Sequence, residues 1–141
     1  MRKIVRELSE KEVGGVKEEE IFWEFKVKRE PNLLYLYLFP RKEWGLKLEG
    51  YVKSILIKVS IHEVRICREE IKEKLQTVNS FKDCFIYSDK IELEFEDNPN
   101  IHEDIKSAII KLNELIKEER EKLEKIEKAL ERIARPKTES D

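Results

Sequence analysis

The side chains able to do chemistry are few and widely spaced. Two cysteines, Cys67 and Cys84, and two histidines, His62 and His102, show no short ligand spacing. A zinc site would need all four to converge from separate elements, so no metal is expected. Cys67 falls on the apolar face of a candidate helix. A reactive thiol needs a basic, partly exposed setting, so Cys67 reads as core. Gly14, Gly15, Gly45 and Gly50 form no phosphate-cradling loop ahead of a helix, and no nucleotide or other cofactor is expected. Carboxylates are abundant on solvated faces, with no pair marked for acid and base work. The expectation is a non-enzymatic protein with no catalytic, cofactor or metal residues.

The chain has 141 residues, about one domain. With 43% charged residues it contains no uninterrupted apolar run of about 18, so no membrane span is expected. The opening 20 residues hold no apolar signal segment, and the expected location is the cytoplasm. Abundant Lys, Glu and Ile with a single Met give a thermophile-like composition. Charge is uneven: residues 21–58 carry eight bases and four acids, and residues 82–98 two bases and six acids.

Four regions are expected: a partly ordered segment over 1–20, an α+β head over 21–98, a long helix over 99–135 whose distal part is a coiled coil, and a disordered tail over 136–141. The fold class is α+β, with an antiparallel, strand-rich head, one inserted helix and the long C-terminal helix. Alternation over 21–29 places Ile21, Trp23, Phe25 and Val27 on one side of a strand. The run LLYLYLF over 33–39 is apolar on both faces. A loop over 29–32 would make these a hairpin pairing Val27 with Leu34, Phe25 with Leu36 and Trp23 with Leu38. A third strand is expected over 43–49, a fourth after Gly50, an amphipathic helix over 62–77, and a second hairpin from 84–88 and 90–96. Asn98 with Pro99, or Asn100 with Glu103, starts the last helix.

Along that helix Ile105, Ile109, Leu112, Ile116, Glu119, Leu123, Ile126, Leu130 and Ile133 alternate at spacings of four and three. This is a coiled-coil seam in which Glu119 alone is polar, and a polar seam residue can fix register or partner. Leu112, Ile116, Glu119, Leu123, Ile126, Leu130 and Ile133 are therefore the expected dimerisation residues. The partner is a second copy of the chain, or a different coiled-coil chain. In the other reading of the seam its first half packs on the head, and only the stretch from Leu123 to Ile133 meets another helix.

Eight of the twelve aromatic residues lie between Phe22 and Tyr51. The hairpin face holding Phe22, Lys26, Lys28, Tyr35, Tyr37 and Phe39 is aromatic and basic. A helix covers it, or it docks a protein, or it stacks single-stranded bases with lysine on the phosphates. The order strand, helix, two strands, long helix over 52–133 resembles the small dimerising subunit of the tRNA threonylcarbamoyladenosine complex, with the strands before Gly50 as an addition. Trp44 in a candidate strand before the inserted helix and Asn98-Pro99 opening the stalk are similar in layout to the head-and-coil scaffolds of end-joining repair and centrioles. The functional expectation is a homodimeric scaffold or adaptor that docks a protein partner through its head. The alternative is a nucleic-acid-binding accessory protein using the hairpin face.

Overall fold

The structure is a computed structural model, and it describes residues 5–6 and 22–134. Among the described residues, eight strands and two α-helices follow in the order β1 (Val5–Arg6), β2 (Trp23–Glu30), β3 (Leu33–Pro40), β4 (Leu46–Glu49), β5 (Ser54–Val59), β6 (His62–Cys67), α1 (Arg68–Leu75), β7 (Phe81–Ile86), β8 (Ile91–Glu96) and α2 (Ile101–Ala134). All strand pairs are antiparallel. A five-stranded sheet runs β1-β2-β3-β8-β7 and a three-stranded sheet runs β4-β5-β6. The fold is α+β, as the alternation and periodicity of the sequence predict. The expected segment 1–20 and tail 136–141 lie outside the described residues, apart from the two of β1.

The core forms where apolar residues recur every second position on strands and every third or fourth on α2. Trp23, Phe25 and Val27 on β2, Leu34, Leu36 and Leu38 on β3, and Ile91, Leu93 and Phe95 on β8 face inward. They join Ile55 and Ile57 of β5, Ile66 of β6, and Ile105, Ile109, Leu112 and Ile116 of α2. Burying such side chains contributes about 1.5–3 kcal/mol each.

Several boundaries differ from expectation. The first hairpin turns over two residues, not four: Glu30 pairs with Leu33, leaving Pro31 and Asn32 at the bend. Proline presets its own backbone angle, and Asn32 adopts a φ of 67°, which asparagine tolerates. The register therefore slides by two, with Phe25 opposite Leu38 and Val27 opposite Leu36. An even slip keeps every side chain on its expected face.

Residues 62–67, expected to begin the helix, are a strand instead. A two-residue turn at Ser60 and Ile61, with Ser60 at a φ of 58°, returns β5 onto β6, where Val64 opposes Ile57 and Ile66 opposes Ile55. The apolar positions 64, 67, 71 and 75 straddle a change of structure, and α1 keeps only Ile71 and Leu75 buried. The third strand is also shorter than expected. Residues Lys42–Trp44 form a 3₁₀ turn closed by Gly45 at a φ of 69°. At the start of α2 the Asn100 carbonyl accepts from the Glu103 and Asp104 N–H groups, so the cap position is Asn100 and Pro99 stays outside the helix.

Candidate functional site

The expected site residues lie on two surfaces among the described residues: the distal end of α2 and the outer face of the five-stranded sheet. The helix of 34 residues is about 50 Å long. Its proximal part meets β5, β6 and α1. Leu112 and Ile116 are fully buried there, within a single chain, and Leu123 is nearly so. The expectation that Leu112 and Ile116 face a second coil is corrected: the head reads the same period of three and four that a coil would. Glu119 keeps 23% of its side chain exposed and holds Lys122 at 3.3 Å. Beyond Leu123 the head ends. Ile126, Leu130 and Ile133 are 48%, 47% and 78% exposed and continue the same stripe.

A clamp that sequence reasoning missed marks where the head stops. The Arg120 guanidinium lies 5.6 Å from the Trp44 ring centre and also donates to the Trp44 carbonyl. It further holds Glu124 at 3.8 Å. Phe22 packs edge-on against Trp44 at 4.8 Å. One arginine among many helix charges carries no signal of such a role.

Phe22 was expected on the outer hairpin face and is instead 1% exposed in the core. It precedes β2, so strand alternation does not govern it, and its ring turns inward onto Trp44. The other members of the expected face do share the outer side. Lys26 opposes Tyr37, Lys28 opposes Tyr35, and Glu24 opposes Phe39. Lys26 is exposed, whereas Lys28, Tyr35, Tyr37 and Phe39 are half-buried.

This face is not basic overall, because β8 flanks β3 on its other side. Tyr37 opposes Glu92 and Tyr35 opposes Glu94. The tyrosine row thus divides a lysine row from a glutamate row. The charge counts of 21–58 and 82–98 were the signal for this, without showing that the two segments lie one strand apart. Burial and neighbouring Glu94 push the Glu92 carboxyl above the ordinary carboxylate value. Burial, with Glu92, pushes the Tyr37 hydroxyl up as well. Lys28 is held in its charged form by its hydrogen bond to Glu30 at 3.0 Å. Lys26 lies over Phe39 at 5.6 Å, and Lys90 sits between Tyr37 at 5.9 Å and Tyr87 at 5.0 Å.

The four metal candidates are not brought together as a ligand set. Among the described residues no cluster of three or more His, Cys, Asp or Glu is placed to hold a metal ion. Cys84 is buried in the core, and Cys67 is exposed at the start of α1, where the sequence expected core. Among the described residues no helix is long and apolar enough to cross a membrane. No family model, curated protein or solved structure matches this chain.

Proposed function

We propose that this chain is a non-enzymatic, homodimeric scaffold or adaptor of the cytoplasm, in which the distal end of α2 pairs with that of a second copy and the head docks a partner. The observation that carries the reading is the exposed stripe of Ile126, Leu130 and Ile133, in phase with the buried stripe before it. A lone helix end gains nothing from three apolar side chains in water. Burying what each leaves exposed contributes about 1–2 kcal/mol per side chain. The interface is short, so pairing depends on concentration.

The test is the solution mass of the full chain by light scattering, beside the variant Ile126→Glu with Leu130→Glu. Both positions are solvent-facing in the single chain, so the variant keeps its fold. In high salt the full chain is expected at twice its 17.0 kDa, and the variant near 17.0 kDa at the same concentration. A full chain that is monomeric throughout, or a variant of unchanged mass, overturns pairing through the helix. The other reading, a nucleic-acid-binding accessory protein, draws on Lys26 and Lys28 beside the tyrosines. Glu92 and Glu94 on the other side of those rings weigh against a polyanion there.

A further inference from the structure

The outer face of the five-stranded sheet has a charge pattern that complements itself. Read across β2, β3 and β8, one row is Lys26, Tyr37, Glu92 and the next is Lys28, Tyr35, Glu94. The row before them begins Glu24, Phe39. The β3–β8 ladder ends at the Leu38–Ile91 pair, and just beyond it the Lys90 ammonium reaches over Tyr37 at 5.9 Å, with Asp89 at 3.6 Å. Down the face, β2 therefore presents Glu24, Lys26, Lys28 and Glu30, while β8 presents Glu92, Glu94 and Glu96, and the two lysines stand level with the first two of these glutamates.

We propose that this face binds the same face of a second copy of the chain, about a two-fold axis parallel to β3. This deepens the scaffold reading by naming the head's partner, although the contact does not depend on the helix. Such an axis keeps each residue's height along the strand and exchanges β2 with β8. Lys26 then meets the partner's Glu92 and Lys28 meets the partner's Glu94. Tyr35, Tyr37 and Phe39 meet their own copies between the charge rows. Within one chain the lysine and glutamate rows are two strand spacings apart, about 10 Å, too far for direct ion pairs. Apposed sheets pack about 10 Å apart, which brings side chains from both into contact.

Two features fit a missing cation. The Glu92 carboxylate is half-buried with Glu94 as its neighbour; Lys90 and Lys28 favour its charge from a distance, but among the described residues no direct ion pair joins Glu92 or Glu94 to a lysine. The last row, Glu30, Leu33, Glu96, is the exception. It would set acid against acid at the rim, where Lys28 is shared between Glu30 and the partner's Glu94. Three strands of about five residues cover roughly 15 by 17 Å. That is small for a stable interface, so the contact is weak and sensitive to salt.

The test uses the full chain carrying Ile126→Glu and Leu130→Glu, which removes the helix tip as a contact. Sedimentation at rising concentration and low salt is expected to show a monomer–dimer equilibrium that salt suppresses. Adding Lys26→Glu with Lys28→Glu makes both rows acidic, and adding Glu92→Lys with Glu94→Lys makes both basic. Each of these proteins alone is expected to stay at 17.0 kDa, and their equimolar mixture to associate more tightly than the parent. Recovery in the mixture also shows that both remain folded. The proposal is overturned if the parent stays monomeric at every concentration, if either reversed protein still self-associates, or if the mixture does not associate. It is equally overturned if the parent stays monomeric yet binds a single-stranded oligonucleotide through Lys26 and Lys28. A full chain that dimerises while the tip variant does not leaves helix pairing standing and removes the face contact. A tip variant that dimerises as the full chain does has the opposite meaning.

Discussion

The indole N–H of Trp23 donates to Oδ1 of Asn113 at 3.2 Å, joining the first long strand to the middle of α2 across 90 residues of sequence. Both side chains are buried, at 0% and 3% exposure. A polar pair at that depth gives the helix one rotational setting against the sheet, since any other leaves an indole donor without its acceptor. Asn113→Ala is expected to cost about 1–3 kcal/mol, read as a lower urea midpoint with an unchanged denaturant slope. A loss near zero would mean that the contact positions nothing.

Gly45 lies between the 3₁₀ turn and β4 at a φ of 69°, and a Cβ there would stand 2.6 Å from the Lys58 carbonyl oxygen. Backbone cannot retreat as a flexible side chain can. Gly45→Ala is expected to destabilise by about 1–3 kcal/mol, measured by thermal unfolding. Because the Arg120 guanidinium is 3.8 Å from the same point, the substitution also loosens the seat of the helix.

Buried and exposed halves of one stripe should respond differently to the same truncation. Leu112→Ala, in the core, is expected to cost about 2–5 kcal/mol in the monomer. Leu130→Ala is expected to leave the unfolding midpoint of dilute protein within about 0.5 kcal/mol of the parent. Equal losses at both positions would show that the tip is packed even at dilution.

Burial pushes the Cys84 thiol up to about 12, from an ordinary value of 9.0. An acid whose folded pKa is raised contributes stability that is complete below the unfolded value and is lost as pH rises from about 9 towards 12. Cys84→Ala should therefore lose less stability than the parent across that alkaline window. In folded protein near pH 8, iodoacetamide is expected to label exposed Cys67 and spare Cys84. Equal labelling would contradict the burial.

Glu92 is raised by burial and by Glu94, so its charge works against folding at neutral pH, and that penalty fades as pH falls through its folded value. Glu92→Gln is expected to raise the melting temperature of the tip variant at pH 7 and to lose that advantage in acid. If the outer faces pair as inferred, the same change weakens their association. Stability and assembly would then move in opposite directions.

Local patterns account for what was legible in the sequence. Alternation fixed the faces of β2, β3 and β8, and because the hairpin slipped by two, even a wrong loop length left Tyr35 and Lys28 on the correct side. The helix from 101 was legible from its period, and so was the possibility that its first half belongs to the head. Residues 62–67 misled because Val64, Cys67 and Ile71 mimic a helical spacing while a tight turn at Ser60 imposes a strand. Phe22 misled because alternation was extended one residue beyond the strand. The neighbours of Tyr35 and Tyr37 were not legible, since the pairing of β3 with β8 joins segments more than 50 residues apart and no local pattern encodes it.

The long helix runs unbroken from Ile101 to Ala134, so the seat at Asn113 and Arg120 and the stripe at Ile126 share a single rigid phase. One added residue between them would turn the tip about 100° about the helix axis while the head kept its place. Seven would restore the direction and lengthen the reach by about 10 Å. The angle at which two heads face each other is thus written as a residue count, and homologues of different stalk length should differ by whole heptads.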